Sequence, residues 1–307
     1  MAVISAKMVK ELRELTNAGM MDCKKALTAT DGDMDAAVEF LRKSGLALAA
    51  KKAGRIAAEG LVAFKISADN KKAAIVEVNS ETDFVAKNEM FQTFVANVAS
   101  QALETAAADM DAFKAEAWIE DPSMTVADAL VEKVAVIHEN LQIRRFAKIE
   151  TEGCVASYSH GGGRIGVLVE LVADEVNEAV LEAGKNVAMQ IAALNPQFVN
   201  RNAVPADFLA KEREILLEQA TKESNKPLNI IEKMVEGRLA KELKEICLTE
   251  QVYFKNDELT VGKYLKEVSK QVGFTVDVKS YIRYETGEGI EKKEEDFAAE
   301  VAKQMGE

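Results

Sequence analysis

The sequence is poor in the residues that build metal centres, disulfides and catalytic triads. Its 307 residues include three cysteines and two histidines. Cys23, Cys154 and Cys247 lie far apart and form no CxxC pair, which predicts neither a zinc site nor a disulfide framework and fits a reducing compartment. With only His138 and His160 available, triad or metal chemistry has few components. We therefore expect no metal, no cofactor and no covalent catalysis.

Long apolar runs and an excess of positive charge are also missing. No apolar stretch is long enough to span a bilayer, and residues 1–7 are too mixed in polarity for a signal peptide. Acidic residues outnumber basic ones 51 to 39, giving a net charge of −12. This charge disfavours non-specific binding to nucleic acid or anionic membranes. We expect a cytoplasmic protein that contacts another protein, with no direct nucleic-acid partner and no membrane.

The length and the 48% apolar composition predict more than one domain. Residues 1–53 read as a three-helix N-terminal module that resembles the ubiquitin-associated type. Asn17 lies in the break after the first helix, and Asp33 is a candidate N-cap of the third. Gly45 is a candidate C-cap of that helix. The composition of residues 46–59 predicts a linker that is helical in part.

A strand hairpin followed by a helix occurs twice in the pattern, about ninety residues apart. The matching segments are 60–64 with 153–158, 72–78 with 165–171, and 95–103 with 186–194. Chance similarity between alternating strands is the alternative, but the common order of three elements favours duplication. We predict an α+β protein with two core subdomains of similar plan, at 54–150 and 151–283.

Two further segments complete the predicted organisation. Residues 206–247 carry two narrow apolar stripes separated near Pro227, which predicts an inserted antiparallel coiled-coil hairpin. The hairpin could project as an arm or pack flat, and the sequence leaves both open. Residues 284–307 read as a C-terminal strand-helix module. Its helix carries one apolar face, formed by Phe297, Val301 and Met305.

The segment 82–88 places an acid and a bulky ring where a strand-like run meets a helical pattern. From the residues alone, the favoured interpretation is that Phe84 fills the local core and Asp83 caps a helix. The alternative is a contact loop in which Phe84 inserts into a partner. Met20 and Met21 pose the same choice between core filling and an adaptable apolar contact.

The segment 160–164 is a glycine-rich loop. Its backbone amides could cradle a phosphate, with Arg164 as a charge partner, and a small-molecule-binding α+β enzyme is therefore a rival hypothesis. However, the loop lacks the ending of a P-loop and precedes a strand. A hairpin turn explains it better.

The segments 82–88 and 18–27, together with 232–238 and 287–292, resemble the elongation factor Ts family. That family consists of nucleotide exchange factors for the translational GTPase elongation factor Tu. The resemblance implies a guanine-nucleotide exchange factor that forms a heterodimer with elongation factor Tu and makes no covalent bond. Self-association of the free factor stays possible.

The resemblance also implies site residues. The loop that enters the partner's GTP-binding domain beside its magnesium corresponds to Thr82, Asp83, Phe84 and Val85. The candidate partner contacts are Met20, Met21, Lys24, Ile137, His138, His160, Phe254 and Lys255.

Three of the chain's residues depart from the family pattern. His138 stands where the family usually has glycine, which adds bulk at a contact position. Asn17 also replaces a usual glycine, and Asn tolerates left-handed backbone angles. Lys255 lies where an apolar pair is common, and we expect it to alter that contact.

Overall fold

The computed structural model of the chain describes residues 4–16, 18–223 and 227–291. It combines helices with small antiparallel sheets, which confirms the predicted α+β class. The described residues form two compact units. The first contains residues within 4–63, 76–146 and 285–291, and the second contains residues within 64–75 and 147–284. Among these residues, every helix is too short or too polar to cross a bilayer.

Three helices open the first unit: α1 (Ala6–Thr16), α2 (Met20–Ala29) and α3 (Met34–Lys52). They share a core formed by Val9, Leu12, Cys23, Ala26, Leu27 and Ala37. Asp33 is the predicted N-cap of α3, because its carboxylate accepts a hydrogen bond from the Ala36 amide at 2.9 Å. Asn17 lies outside the described residues.

The prediction that Gly45 ends the third helix is wrong, because α3 continues to Lys52. Residues 46–52 are the helical part of the segment 46–59. Gly45 instead lies where α3 packs closely on a later helix, α7 (Val126–Ile137). A Cβ atom at Gly45 would lie 3.2 Å from the Ala135 Cβ. The glycine is explained by this close approach and not by a left-handed helix end.

The next strands along the chain form one sheet. Strands β1 (Glu59–Ile66), β2 (Lys72–Ser80) and β3 (Gln142–Glu150) pair in the order β1-β2-β3. Helices α4 (Asp83–Ala86), α5 (Glu89–Glu104) and α6 (Met110–Ala115) follow β2 and precede α7. The apolar face of α5 is buried, with Phe91, Phe94, Val95 and Val98 almost inaccessible.

The second unit is built around another sheet. Strands β4 (Cys154–His160) and β5 (Ile165–Val172) form an antiparallel hairpin, and α8 (Glu178–Leu194) follows. The later elements are β6 (Val252–Tyr253), β7 (Asn256–Thr260), α11 (Val261–Val272) and β8 (Asp277–Glu285). The sheet order is β4-β5-β8. Gly184 lets α8 lie directly on β4, since a Cβ there would collide with Ala156.

The predicted hairpin consists of α9 (Ala206–Glu223) and α10 (Leu228–Ile246). Its buried residues fall into two clusters along the seam, made only of residues from the hairpin and its base at Phe198, Val204 and Cys247. Arg213–Glu236 and Arg238–Glu223 ion pairs, at 2.6 and 2.7 Å, join the two helices at their exposed faces. Pro227 immediately precedes α10, and residues 224–226 lie outside the described part.

The chain after β8 is described only as far as residue 291. Gly287 and Gly289 have φ angles of 72° and 74°, in the left-handed region. A Cβ at Gly287 would overlap the Ala58 carbonyl, so this turn requires glycine. The predicted terminal helix with Phe297, Val301 and Met305 lies outside the described residues.

Candidate partner-binding site

The segment 82–85 forms a single helical turn between β2 and α5. Thr82 is the extended N-cap of α4, and the turn closes through a hydrogen bond from the Lys87 amide to the Phe84 carbonyl at 3.2 Å. Asn88 then starts α5 by accepting hydrogen bonds from the amides of Met90 and Phe91. Two helix starts in seven residues therefore present a short, well-defined corner at the end of β2.

Phe84 points outward from this corner. Its exposed fraction is 79%, whereas that of Val85 is 9%. The interpretation in which Phe84 fills the local core is excluded, because Val85 occupies that position. A large aromatic ring held in water on a defined turn is typical of an interface anchor.

Asp83 is the first residue of the turn and does not cap it. Its carboxylate accepts a hydrogen bond from Lys87 Nζ at 2.7 Å. This bond lowers the pKa of the Asp83 carboxyl. The same ammonium lies 5.8 Å from the centre of the Phe84 ring. The exposed corner thus combines an ionised carboxylate, an ammonium group and an aromatic ring.

The backbone that leads into this corner is held by Glu139. One carboxylate oxygen accepts hydrogen bonds from the Glu81 and Thr82 amides, both at 3.0 Å. The other accepts from the Thr82 hydroxyl at 2.7 Å. The sequence analysis did not identify this role, although it singled out the two preceding residues, Ile137 and His138, as candidate contacts.

Met20, Met21 and Lys24 occupy the first two turns of α2. The methionine side chains are 58% and 73% exposed, and Lys24 is exposed one turn later. Cys23, between them, is fully buried. The methionines therefore do not fill the core, and they form an apolar surface of the adaptable kind.

Ile137 and His138 end α7 close to α2. His138 has a φ angle of 61° at the helix C-cap. Its Nε2 atom lies 3.7 Å from an Asp22 carboxylate oxygen, and its carbonyl accepts a hydrogen bond from Lys52 Nζ at 2.6 Å. Ile137 is partly buried. This segment therefore contacts α2 through His138 and Asp22, and it contacts the start of the Phe84 turn through Glu139 and Thr82.

The left-handed conformation of His138 predicts that His138→Gly raises the free energy of unfolding. Relief of the Cβ clash is worth about 1–2 kcal/mol, and the greater freedom of glycine in the unfolded chain offsets part of it. We expect a net gain of up to about 1 kcal/mol, because the exposed contact with Asp22 contributes little. Urea unfolding followed by fluorescence of Trp118, the only tryptophan, measures it.

The matched control is His138→Ala, which removes the imidazole but keeps a Cβ in the left-handed region. We expect no gain from alanine. A urea midpoint for His138→Gly at or below that of the wild type would contradict the prediction.

His160 ends β4 at the glycine-rich loop of the second unit. The strands pair up to His160 and Ile165, and the Arg164 amide donates to the His160 carbonyl at 3.0 Å. Gly161, Gly162 and Gly163 all have positive φ angles. The loop is therefore a hairpin turn, as expected. The exposed His160 ring lies 3.1 Å, Nδ1 to hydroxyl, from Tyr158.

Phe254 and Lys255 form the tight turn between β6 and β7. Phe254 is 46% exposed. Lys255 Nζ donates to the Asn186 side chain at 2.7 Å and lies 5.8 Å from the Phe254 ring centre. Lys255 is thus held against α8 beside the aromatic ring. A cleft lined by Tyr158, Leu181, Met189 and Lys255 adjoins this turn.

Comparisons with known proteins agree with one another. Residues 81–288 match the family described as Elongation factor TS. The chain belongs to the elongation factor Ts family. Over 99% of its length it is 55% identical to the whole of "Elongation factor Ts" from Clostridioides difficile (strain 630). It is 56% identical, over 99% of its length, to the whole of the same-named protein from Clostridium tetani.

The matched region contains most of the candidate elongation factor Ts site. The Phe84 corner, His138, His160 and Phe254 all fall within 81–288. Met20, Met21 and Lys24 precede that region, but the full-length relatives span them. The alignments with full-length members of the family therefore include every residue of the candidate site.

Proposed function

We propose that this chain is a guanine-nucleotide exchange factor that binds elongation factor Tu·GDP and promotes GDP release during the elongation phase of protein synthesis. The observation that carries the proposal is the exposed Phe84 ring, 79% accessible on a held turn. It lies in the motif through which the chain resembles the family. No step needs covalent catalysis, since the factor acts by binding.

The proposed mechanism displaces the partner's magnesium ion. Magnesium demands near-ideal octahedral coordination and links protein ligands to nucleotide phosphates. An aromatic wedge such as Phe84 would shift those ligands, and Thr82, Asp83 and Val85 would shape the corner that delivers it. Loss of magnesium geometry weakens GDP binding, so GDP leaves faster.

Reversibility follows from linkage between the two ligands of the partner. If the factor weakens nucleotide binding, nucleotide weakens factor binding by the same ratio. Entry of a fresh nucleotide therefore releases the factor. A catalyst of exchange needs this reciprocity, because a factor that stayed bound would trap the partner without nucleotide.

Four surfaces would carry the heterodimer. Met20, Met21 and Lys24 on α2, with Ile137 and His138 beside them, would contact the GTP-binding domain together with the Phe84 corner. In the second unit, His160 would contact the partner's third domain. Phe254 and Lys255 would add a further contact. The proposed heterodimer forms in the cytoplasm and requires neither a nucleic acid nor a membrane.

The finer architecture belongs to the same proposal. Domains at 1–53, 54–150, 151–283 and 284–307 are supported by the resemblance of the whole chain to the family. Strand, strand and helix follow in the same order in β1, β2, α5 and in β4, β5, α8, which supports duplication. The hairpin buries its seam with its own residues, which supports a projecting coiled-coil arm.

The test is the release rate of a fluorescent GDP analogue from elongation factor Tu, with and without this protein. Marked acceleration at substoichiometric factor is expected, because an exchange catalyst turns over. Binding without acceleration would show that the protein binds elongation factor Tu without exchanging its nucleotide, which would contradict the proposed exchange activity. Absence of binding would refute the whole proposal. A ligand bound at His160–Arg164 would instead support the rival enzyme.

A further inference from the structure

We propose that Glu139 is a positioning residue for nucleotide exchange, which fixes the corner that presents Phe84 and ties that corner to the N-terminal helices. This inference rests on the proposed function. Glu139 itself needs no contact with the partner or the nucleotide. It acts through Thr82 and the backbone that precedes Phe84.

The Glu139 carboxylate accepts hydrogen bonds from three donors. Both Glu139 oxygens are used, by the amides of Glu81 and Thr82 and by the Thr82 hydroxyl, at 2.7–3.0 Å. Hydrogen bonds to an ionised acceptor are stronger than neutral ones. The Ser80 hydroxyl adds a bond to the Thr82 carbonyl at 3.0 Å. The chain is therefore fixed at both peptide groups of Thr82, directly before the turn.

Asn140, the residue after Glu139, ties the same part of the chain to Glu81 and Arg55. Asn140 donates its amide to the Glu81 carboxylate at 2.6 Å and its side chain to the Arg55 carbonyl at 2.7 Å. Arg55 also pairs with Glu81 at 3.4 Å. With the Lys52 bond to the His138 carbonyl, residues 138–140 are held to the C-terminal end of α3.

Together these bonds set the distance between two candidate contacts. The α2 methionines belong to the three-helix core that includes α3, and Phe84 stands on the turn that Glu139 holds. The bonds to α3 and its C-terminal end and the bonds to the Phe84 turn are all made by residues 138–140. A partner that meets both surfaces therefore meets them at a fixed spacing.

The Glu139 bonds to Glu81 and Thr82 matter because the exposed Phe84 ring has little packing of its own to keep the turn in place. Without the Glu139 bonds, the factor would still bind through its other contacts while the turn is often disordered. Only those bound molecules whose turn is ordered would then accelerate GDP release. We expect the loss to appear mainly in the maximal rate of GDP release. The half-saturating concentration should change less, because the α2 and second-unit contacts stay intact.

The experiment measures fluorescent GDP-analogue release from elongation factor Tu over a range of factor concentrations. Glu139→Ala should lower the maximal rate by about tenfold, since it removes three charge-assisted bonds. Glu139→Gln should recover most of the rate, because its carbonyl oxygen still accepts from both amides. Glu120→Ala, an exposed residue of the same unit, is the matched control and should leave the rate unchanged. A wild-type maximal rate in Glu139→Ala would overturn the proposal.

A double-mutant cycle separates positioning from general damage. In a Phe84→Ala background, Glu139→Ala should cost less than about twofold, because residues that act through each other are not additive. An equal tenfold loss in both backgrounds would overturn the proposal. If Glu139→Ala does not fold, Glu139→Asp takes its place in the cycle. Its shorter side chain cannot reach all three donors, so the same comparison decides.

Hydrogen exchange of the free factor distinguishes failure of this inference from failure of the proposed function. The Lys87 and Asn88 amides donate within the turn, to the carbonyls of Phe84 and Val85. Their exchange should be about tenfold faster in Glu139→Ala, since the turn opens more often. Unchanged protection would overturn the positioning role, even if wild-type exchange activity is present. If the wild-type protein fails to accelerate GDP release from elongation factor Tu, the proposed function is refuted. The hydrogen exchange of the Lys87 and Asn88 amides would then still test whether Glu139 holds the turn.

Discussion

Phe84→Ala should slow factor-stimulated GDP release by about 30-fold or more, the range of an interface hot spot. The ring is 79% exposed, so its removal takes away an anchor without opening a cavity. The free energy of unfolding should change by less than about 0.5 kcal/mol, as for other exposed positions. Stopped-flow release of a fluorescent GDP analogue and urea unfolding measure the two quantities.

Two variants sharpen this result. Phe84→Leu keeps apolar bulk and should lose less than the alanine variant if the ring acts as a wedge. Ile119→Ala is the control, because Ile119 is also exposed, at 43%, but lies outside the candidate contacts. Unaltered release by Phe84→Ala would refute the wedge. Loss of folding would show that the ring supports the structure after all.

Local features of this fold could be predicted from the sequence because their causes are local. The Asp33 cap acts three residues along the chain. The turn at 161–164 follows from glycines between two alternating strands. The α9–α10 hairpin follows from two apolar stripes at helical spacing. Each depends on neighbours within one element or one connection.

Features set by distant parts of the chain could not be predicted in this way. Gly45 has the sequence context of a helix end, yet its contact with Ala135 on α7 decides its role. The Glu139 bond to Thr82 joins residues 57 positions apart. No periodicity or spacing in the sequence marks that pair.

In the candidate site, the position of Phe84 could not be predicted from the sequence pattern alone. The residues alone predict a buried Phe84, since phenylalanine side chains are mostly buried in folded proteins. Only the family resemblance favoured an exposed contact. The structure shows why the pattern misled: Val85, the next residue, takes the inward position.

Glu77→Ala should lower the free energy of unfolding by about 3 kcal/mol, the lower end for breaking a buried ion pair. Glu77 is fully buried and accepts from Arg144 at 2.9 Å, Arg145 at 2.6 Å and the Gly287 amide at 2.8 Å. Alanine removes the Glu77 carboxylate from all three donors, although Arg145 keeps its ion pair with Glu288 at 3.1 Å. The lower end applies because both arginine side chains are about 30% exposed and keep some water.

The Glu77 bonds should also make stability depend on pH. Burial alone would raise the pKa of the Glu77 carboxyl, but the Gly287 amide and the arginines outweigh it and hold the pKa below its ordinary value of 4.5. A carboxyl whose pKa is lower in the folded state stabilises the fold above its unfolded pKa. That contribution is lost as the pH falls through the folded pKa.

Urea unfolding followed by Trp118 fluorescence tests both expectations, since Trp118 is buried in the same unit. The wild type should be clearly more stable than Glu77→Gln at pH 7, and the difference should shrink as the pH falls below 4.5, the ordinary pKa. Glu120→Ala should follow the wild type throughout. A pH-independent difference would mean that Glu77 contributes through packing. In that case the charge of the carboxylate would not be what holds Gly287 to the strand that carries Glu77.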